Sequence, residues 1–288
     1  MKDYVIVTDT ACDISQEILQ QWGVQEIDLT FRFEKDNVER KGREMPIKEF
    51  YDCMREGGVA KTAAINPDVF IESFENILAE GKDILYIGFS SGLSSTFNSS
   101  QIAANELQEK YSDRKIVVID SLCASAGQGL CVYLAVQKRD SGASFEELAE
   151  YLEDIKLNIC HWFTVDDLVY LKRGGRVSAT TAFVGTVLSI KPVMHVDNEG
   201  KLIPISKCRG RKASLSALAD RYGELRDKSK SGTVFISHSD ALEDAEYLRD
   251  LLKSRYGTEV EIITDIGPII GAHSGPGTMA LFFVGTER

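Results

Sequence analysis

Ile84-Leu85-Tyr86-Ile87-Gly88-Phe89-Ser90-Ser91-Gly92-Leu93-Ser94-Ser95-Thr96 passes from an apolar run into a loop of glycine and hydroxyl residues, then into an amphipathic segment. The pattern predicts a strand over 84–87 and a helix over 95–111. A strand that delivers hydroxyls and unpaired backbone N–H groups to a helix start offers an anion site with no cationic side chain in it. The loop therefore points to a small acid, or to the acidic end of a larger molecule.

Outward from this loop the first half alternates strand and helix. Strands are predicted at 5–7, 25–29 and 116–119, with helices at 15–22, 47–56, 67–79, 124–138 and 145–157. Residues 31–41 read as a small hairpin around Lys35-Asp36-Asn37. Alternation of this kind predicts a parallel sheet, with ligands beyond the carboxyl ends of its strands. Further on, a short helix at 166–171 ends at Gly174-Gly175. Strands at 191–196 and 201–207 flank a turn at Asp197-Asn198-Glu199-Gly200. Helices at 212–228 and 242–254 and strands at 233–237, 259–264 and 279–284 complete a mixed sheet. The fold class is α/β in two closely packed domains: a parallel-sheet N-terminal domain over 1–160 and a mixed-sheet C-terminal domain over 161–288.

The chain has 288 residues and a net charge of −11, which argues against a nucleic-acid binder. Six cysteines lie at 12, 53, 123, 131, 160 and 208. None has CxxC or zinc-finger spacing, so reduced thiols are expected. The opening residues read directly as a strand, with no signal peptide. The longest uncharged apolar run, 130–136, falls far short of the roughly 20 residues a membrane span needs. These features predict a cytoplasmic protein without membrane insertion.

Four groups of residues could carry chemistry. Thr62 precedes a predicted helix and Ser94 begins one, so each reads as a cap or turn residue or as an anion ligand. His273 lies in the Gly- and Pro-rich stretch 266–277, read as a tight irregular loop that admits a ligand close to backbone. His161, His195 and His238 lack such a setting. Residues 171–212 hold nine basic and two acidic side chains, +7 on an acidic chain. This basic segment suits a phosphate-bearing ligand or an acidic partner. No acidic or His cluster suggests a metal, and no catalytic residue is assigned.

Six ordered motifs resemble those of the DegV family of fatty-acid-binding proteins. They are Thr8–Ile14, Ser90–Thr96, Val118–Ser121, Leu171–Ser178, Arg209–Lys212 and Ile266–Gly277. The resemblance implies a two-domain protein enclosing one long-chain fatty acid, palmitate- or oleate-like, between the domains, with no other cofactor. It implies that Thr62 and Ser94 hydrogen-bond the carboxylate and that His273 and the Arg-rich loops lie near it. It also implies that Arg173, Arg176 and Arg209 face a phosphate or a docked partner. In some members that partner is a fatty acid kinase that makes acyl phosphate from the presented lipid. One departure is visible: the family's usual Ser-x-Pro-[ST] after the matching Thr is here Ala63-Ala64-Ile65-Asn66.

Hydroxyl donors and a helix start can offset the cost of burying a carboxylate, while the tail supplies affinity. Fourteen methylenes contribute roughly 11 kcal/mol before ordering costs. Residues 177–190 and Phe282-Phe283 are candidates for the apolar lining. The alternatives are a Ser94-dependent hydrolase or a phosphotransferase acting on a lipid or small acid, and a lipid-sensing regulatory module.

Overall fold

A computed structural model describes residues 4–177 and 189–288. Strands β1 (Tyr4–Asp9), β2 (Val24–Ile27), β6 (Asp83–Gly88) and β7 (Ile116–Asp120) form a parallel sheet in the order β2-β1-β6-β7. Successive residues of a strand point to opposite faces, and the sheet is covered on both. Ile6, Leu85 and Ile87 enter one core, while Val7, Ile84 and Tyr86 enter the other. Helices α3 (Pro67–Ala79) and α4 (Thr96–Lys110) cover the second face. Pro67 occupies the first turn of α3, where no intrahelical N–H bond is lost.

The region read as a small hairpin is a three-stranded antiparallel sheet in the order β4-β3-β5. It consists of β3 (Thr30–Phe33), β4 (Arg40–Lys41) and β5 (Ala60–Ala63). Strand β5 carries Thr62 opposite Phe31. Thr62 is therefore neither a cap nor a turn residue, since Asn66 holds the N-cap position of α3. Phe31, Phe33, Phe50 and Tyr51 pack edge-on and tilted beneath this sheet. The last two come from α2 (Ile47–Arg55).

The second large sheet is mixed, in the order β10-β9-β8-β13-β11-β12. Its strands are β8 (Ile159–Thr164), β9 (Ile190–Val196), β10 (Leu202–Arg209), β11 (Val234–His238), β12 (Ile262–Asp265) and β13 (Met279–Val284). Only β11 and β12 pair in parallel. Strand β8 is absent from the sequence reading. All six of its residues are buried, so it lacks the alternation that marks a half-exposed strand.

Helix α5 (Ala126–Asp140) lies between the two sheets, touching β1 and β6 on one side and β8, β11 and β13 on the other. Its first eleven residues except Tyr133 are buried, and a single apolar cluster joins Ile6 and Leu85 to Phe235 and Phe282. The sheets also meet where Gly92 abuts the β9–β10 turn: a Cβ there would lie 2.5 Å from the Glu199 carbonyl oxygen. Backbone cannot yield as a flexible side chain does. Gly92→Ala should cost about 1–3 kcal/mol. Gly232→Ala, with open space around it, should stay within about 0.5 kcal/mol. Urea denaturation midpoints of the two variants check this, and equal midpoints would contradict it.

Candidate functional site

The parallel sheet reverses strand order between β1 and β6, and ligands in such sheets bind in the crevice beyond that switch. Two carboxylates shape the loop there. Asp9, fully buried at the end of β1, accepts hydrogen bonds from the Tyr86 hydroxyl (2.5 Å), Phe89 N (3.1 Å) and Ala11 N (3.0 Å). Burial pushes its carboxyl up, and these donors oppose that. Asp120 Oδ1 accepts from Ser91 N at 3.2 Å and Leu122 N at 3.1 Å. Ser90 donates to the Gly200 carbonyl at 2.8 Å. The Thr-Asp and Asp-Ser motifs thus act as scaffolding, and Ser90 ties the loop to the opposite half.

Beyond this loop lies a cavity of about 230 Å³. Polar side chains gather on part of its wall: Thr62 from β5, Ser94 and Ser95 at the start of α4, Arg176, and His273 and Ser274 from α10 (Pro268–Ser274). Phe89, Leu93, Phe163, Leu171, Leu202, Ile266, Ile269, Ile270 and Ala280 make much of the remainder apolar. A mainly apolar pocket with a few convergent polar groups is the usual form of a small-molecule site. The stretch read as an irregular loop contains α10, a seven-residue helix with Pro268 in its first turn. Glycine content hid it: a Cβ at Gly271 would overlap the Tyr51 hydroxyl.

Thr62 Oγ1 and His273 Nε2 are 2.8 Å apart. Burial, reinforced by the nearby Arg176 charge, pushes the His273 imidazole down to about 4. The ring is neutral at pH 7. Gly174 packs directly on it, and a Cβ at that position would overlap Nδ1. Ser94 Oγ accepts from Thr96 N at 3.2 Å and lies 2.9 Å from Thr96 Oγ1. Arg176 donates to the Leu93 carbonyl at 3.1 Å and to the Gly174 carbonyl at 2.6 Å. Ser274 Oγ is buried and has no hydrogen-bond partner among the described residues.

Several expectations change. The cavity wall that carries Thr62 and Ser94 is not free of cations, because Arg176 folds back onto Gly174 and lines it. Arg173 and Arg209 do lie outside the cavity and are exposed. Arg173 sits 5.7 Å from the Tyr170 ring centroid. Phe282 and Phe283 are core residues, packed on His161 and Tyr222. Strand β13 reaches the cavity through Ala280 instead. Of the proposed lining 177–190, residues 178–188 lie outside the described residues. His161, set aside in the sequence, lines the cavity from β8. Ser274 also escaped notice, and no sequence signal separates it from an ordinary helix-end serine. Among the described residues no group could hold a metal ion, and no helix is long and apolar enough to cross a membrane.

Residues 3–286 match the family model described as "Uncharacterised protein, DegV family". This chain belongs to the DegV family. A DegV domain-containing protein of Clostridium perfringens is 41% identical, covering 100% of this chain and 99% of that one. A DegV lipid binding protein from Thermotoga maritima superposes with a TM-score of 0.85 at 29% identity, covering 99% of each chain. A fatty-acid-binding DegV family protein from Thermus thermophilus gives 0.86 at 26% identity, covering 99% of this chain and 100% of that one. DegV of Bacillus subtilis, a fatty acid binding protein, gives 0.83 at 27%, again covering 99% and 100%. In this DegV chain the Gly174-Gly175-Arg176 motif and His273 form one packed unit.

Because the folded imidazole is depressed below the ordinary value, it favours folding above about pH 6.5. That contribution is lost as pH falls toward 4. In the ligand-free protein, NMR titration of the His273 ring should give a midpoint near 4. Gly174→Ala should push the ring toward solvent and raise that midpoint toward the ordinary imidazole value. An ordinary midpoint in the unaltered protein would contradict this geometry.

Proposed function

We propose that this protein binds a long-chain fatty acid with its carboxylate among Thr62, Ser94 and Arg176 and its tail along the apolar wall. The observation that carries the reading is the gathering of four alcohols, one guanidinium and a neutral imidazole on the wall of an otherwise mainly apolar cavity. Such a wall suits one anionic end on a hydrocarbon body. The lipid site then lies between an N-terminal and a C-terminal domain divided near residue 160.

The tautomer of neutral His273 sets the direction of the Thr62 proton. With Nε2–H donating to Thr62 Oγ1, the Thr62 hydroxyl is free to donate to a carboxylate. Ser94 and the partnerless Ser274 add donors, and the first-turn amides of α4 lack intrahelical acceptors. Arg176 supplies the charge that a buried carboxylate requires. The tail supplies the rest by leaving water.

The protein acts in this reading as a carrier and not as an enzyme. It presents the lipid to a separate ATP-dependent kinase that forms acyl phosphate, with exposed Arg173 and Arg209 at the docking edge. A hydrolase is disfavoured by the hydrogen bonding. Ser94 bonds to Thr96 and His273 to Thr62, so nucleophile and base are not paired.

Native mass spectrometry should find the protein carrying an acyl chain, and titration should show uptake of palmitate or oleate. Thr62→Ala and Ser94→Ala should each weaken binding by about 0.5–2 kcal/mol, and Arg176→Gln by about 1.5–3 kcal/mol. Arg173→Glu with Arg209→Glu should spare lipid affinity while lowering acyl phosphate formation by the partner kinase. A protein that takes up neither lipid would overturn the reading.

A further inference from the structure

His161 is the polar side chain the head-group account leaves unused. It sits on β8 with 4% of its surface exposed, yet it lines the cavity. Its ring contacts are aromatic: Phe282 at 4.5 Å between centroids and Phe163 at 5.7 Å. Among the described residues its buried Nδ1 has no hydrogen-bond partner, and none bonds to Nε2. Burial, with Arg288 and His195 nearby, pushes this imidazole well below its ordinary value, so it is neutral. A neutral imidazole offers one N–H donor and one acceptor. Both are unfilled here, where a phenylalanine would serve packing at no desolvation cost. Buried polar groups without partners are few in folded proteins, and each calls for a reason.

Strand register places His161 along the cavity. Phe163 pairs with Ala280 and His161 with Phe282 across β8 and β13. The carboxyl end of β8 leads through α7 (Val169–Arg173) to Arg176. His161 is thus two residues deeper than Phe163, about 7 Å further from that end. Of the other hydroxyls on the cavity wall, those of Ser125 and Thr278 are committed to the fold. Ser125 bonds Asp13 at 2.5 Å and Ser237 at 2.9 Å. Thr278 donates to the carbonyls of Ser274 and Gly275.

We infer that His161 reads an oxygen substituent, a hydroxyl or a carbonyl, part-way along the acyl chain, so that the protein prefers an oxygenated long-chain fatty acid over its unsubstituted counterpart. The inference rests on the fatty-acid reading of the cavity and narrows its substrate class. An oxygen in an apolar tunnel loses its water, and His161 returns one hydrogen bond to it. A plain methylene there leaves the imidazole unsatisfied.

The test is competitive binding, read by native mass spectrometry, of stearate against hydroxystearates with the hydroxyl moved stepwise along the chain. The unaltered protein should favour one position over stearate by about fivefold or more, with the other positions disfavoured. His161→Phe should abolish that preference while keeping or improving stearate binding. His161→Gln, which keeps hydrogen-bonding capacity, should retain part of it and guards against a variant that fails to fold. If stearate binds and every hydroxystearate binds more weakly to the unaltered protein, this inference is overturned and the fatty-acid reading stands. If neither class binds, both fall.

Discussion

A helix without a polar face must be covered on every side, and α5 is such a helix. One sheet can cover only half of it. The parallel sheet takes one side and the mixed sheet the other, so this single burial joins the two halves. Gly127 and Gly129 permit the contact, because a Cβ at either would press on Phe282 or Ile14. The cavity opens beside the start of α5, at Ala124 and Ser125, beyond the ends of β1 and β6. Its position follows from the topological switch of one sheet meeting the wall of the other.

The polar residues in and behind that cavity divide their work. Asp9, Asp120 and Ser90 are consumed in holding backbone, and they shape the loop without reaching a ligand. Thr62 and His273 come from distant parts of the chain and meet at 2.8 Å. Arg176 contributes charge while keeping His273 neutral. A charged imidazole and guanidinium side by side would hold an anion strongly. One cation among alcohols grips it less, which suits a molecule that must also let go.

Much of this was legible in the sequence. The parallel strands showed as short apolar runs followed by helices, and Ser144 with Glu147 forms a capping box where the helix at 145 was placed. Ordered motifs brought Ser94 and His273 forward as candidates, and the family resemblance added Thr62. What stayed hidden had physical causes. Strand β8 is buried on both faces and carries no period-two signal, so His161 had no element to place it. Strand β5 is four residues long and pairs across 27 or more positions with β3. Helix α10 is short, lies between Gly267 and Gly275, and holds Gly271 where Tyr51 and Phe50 crowd it. The inward turn of Arg176 depends on the Gly174 carbonyl, and no local pattern separates it from exposed Arg173.

In the proposed function this cluster holds the head group in ionised form. NMR of palmitate labelled with ¹³C at its carboxyl carbon measures that directly. The account predicts one bound resonance, ionised at pH 7 and staying so to lower pH than free fatty acid, because alcohol and guanidinium donors favour the charged form. A bound resonance already protonated at pH 7, or no bound resonance at all, would contradict it.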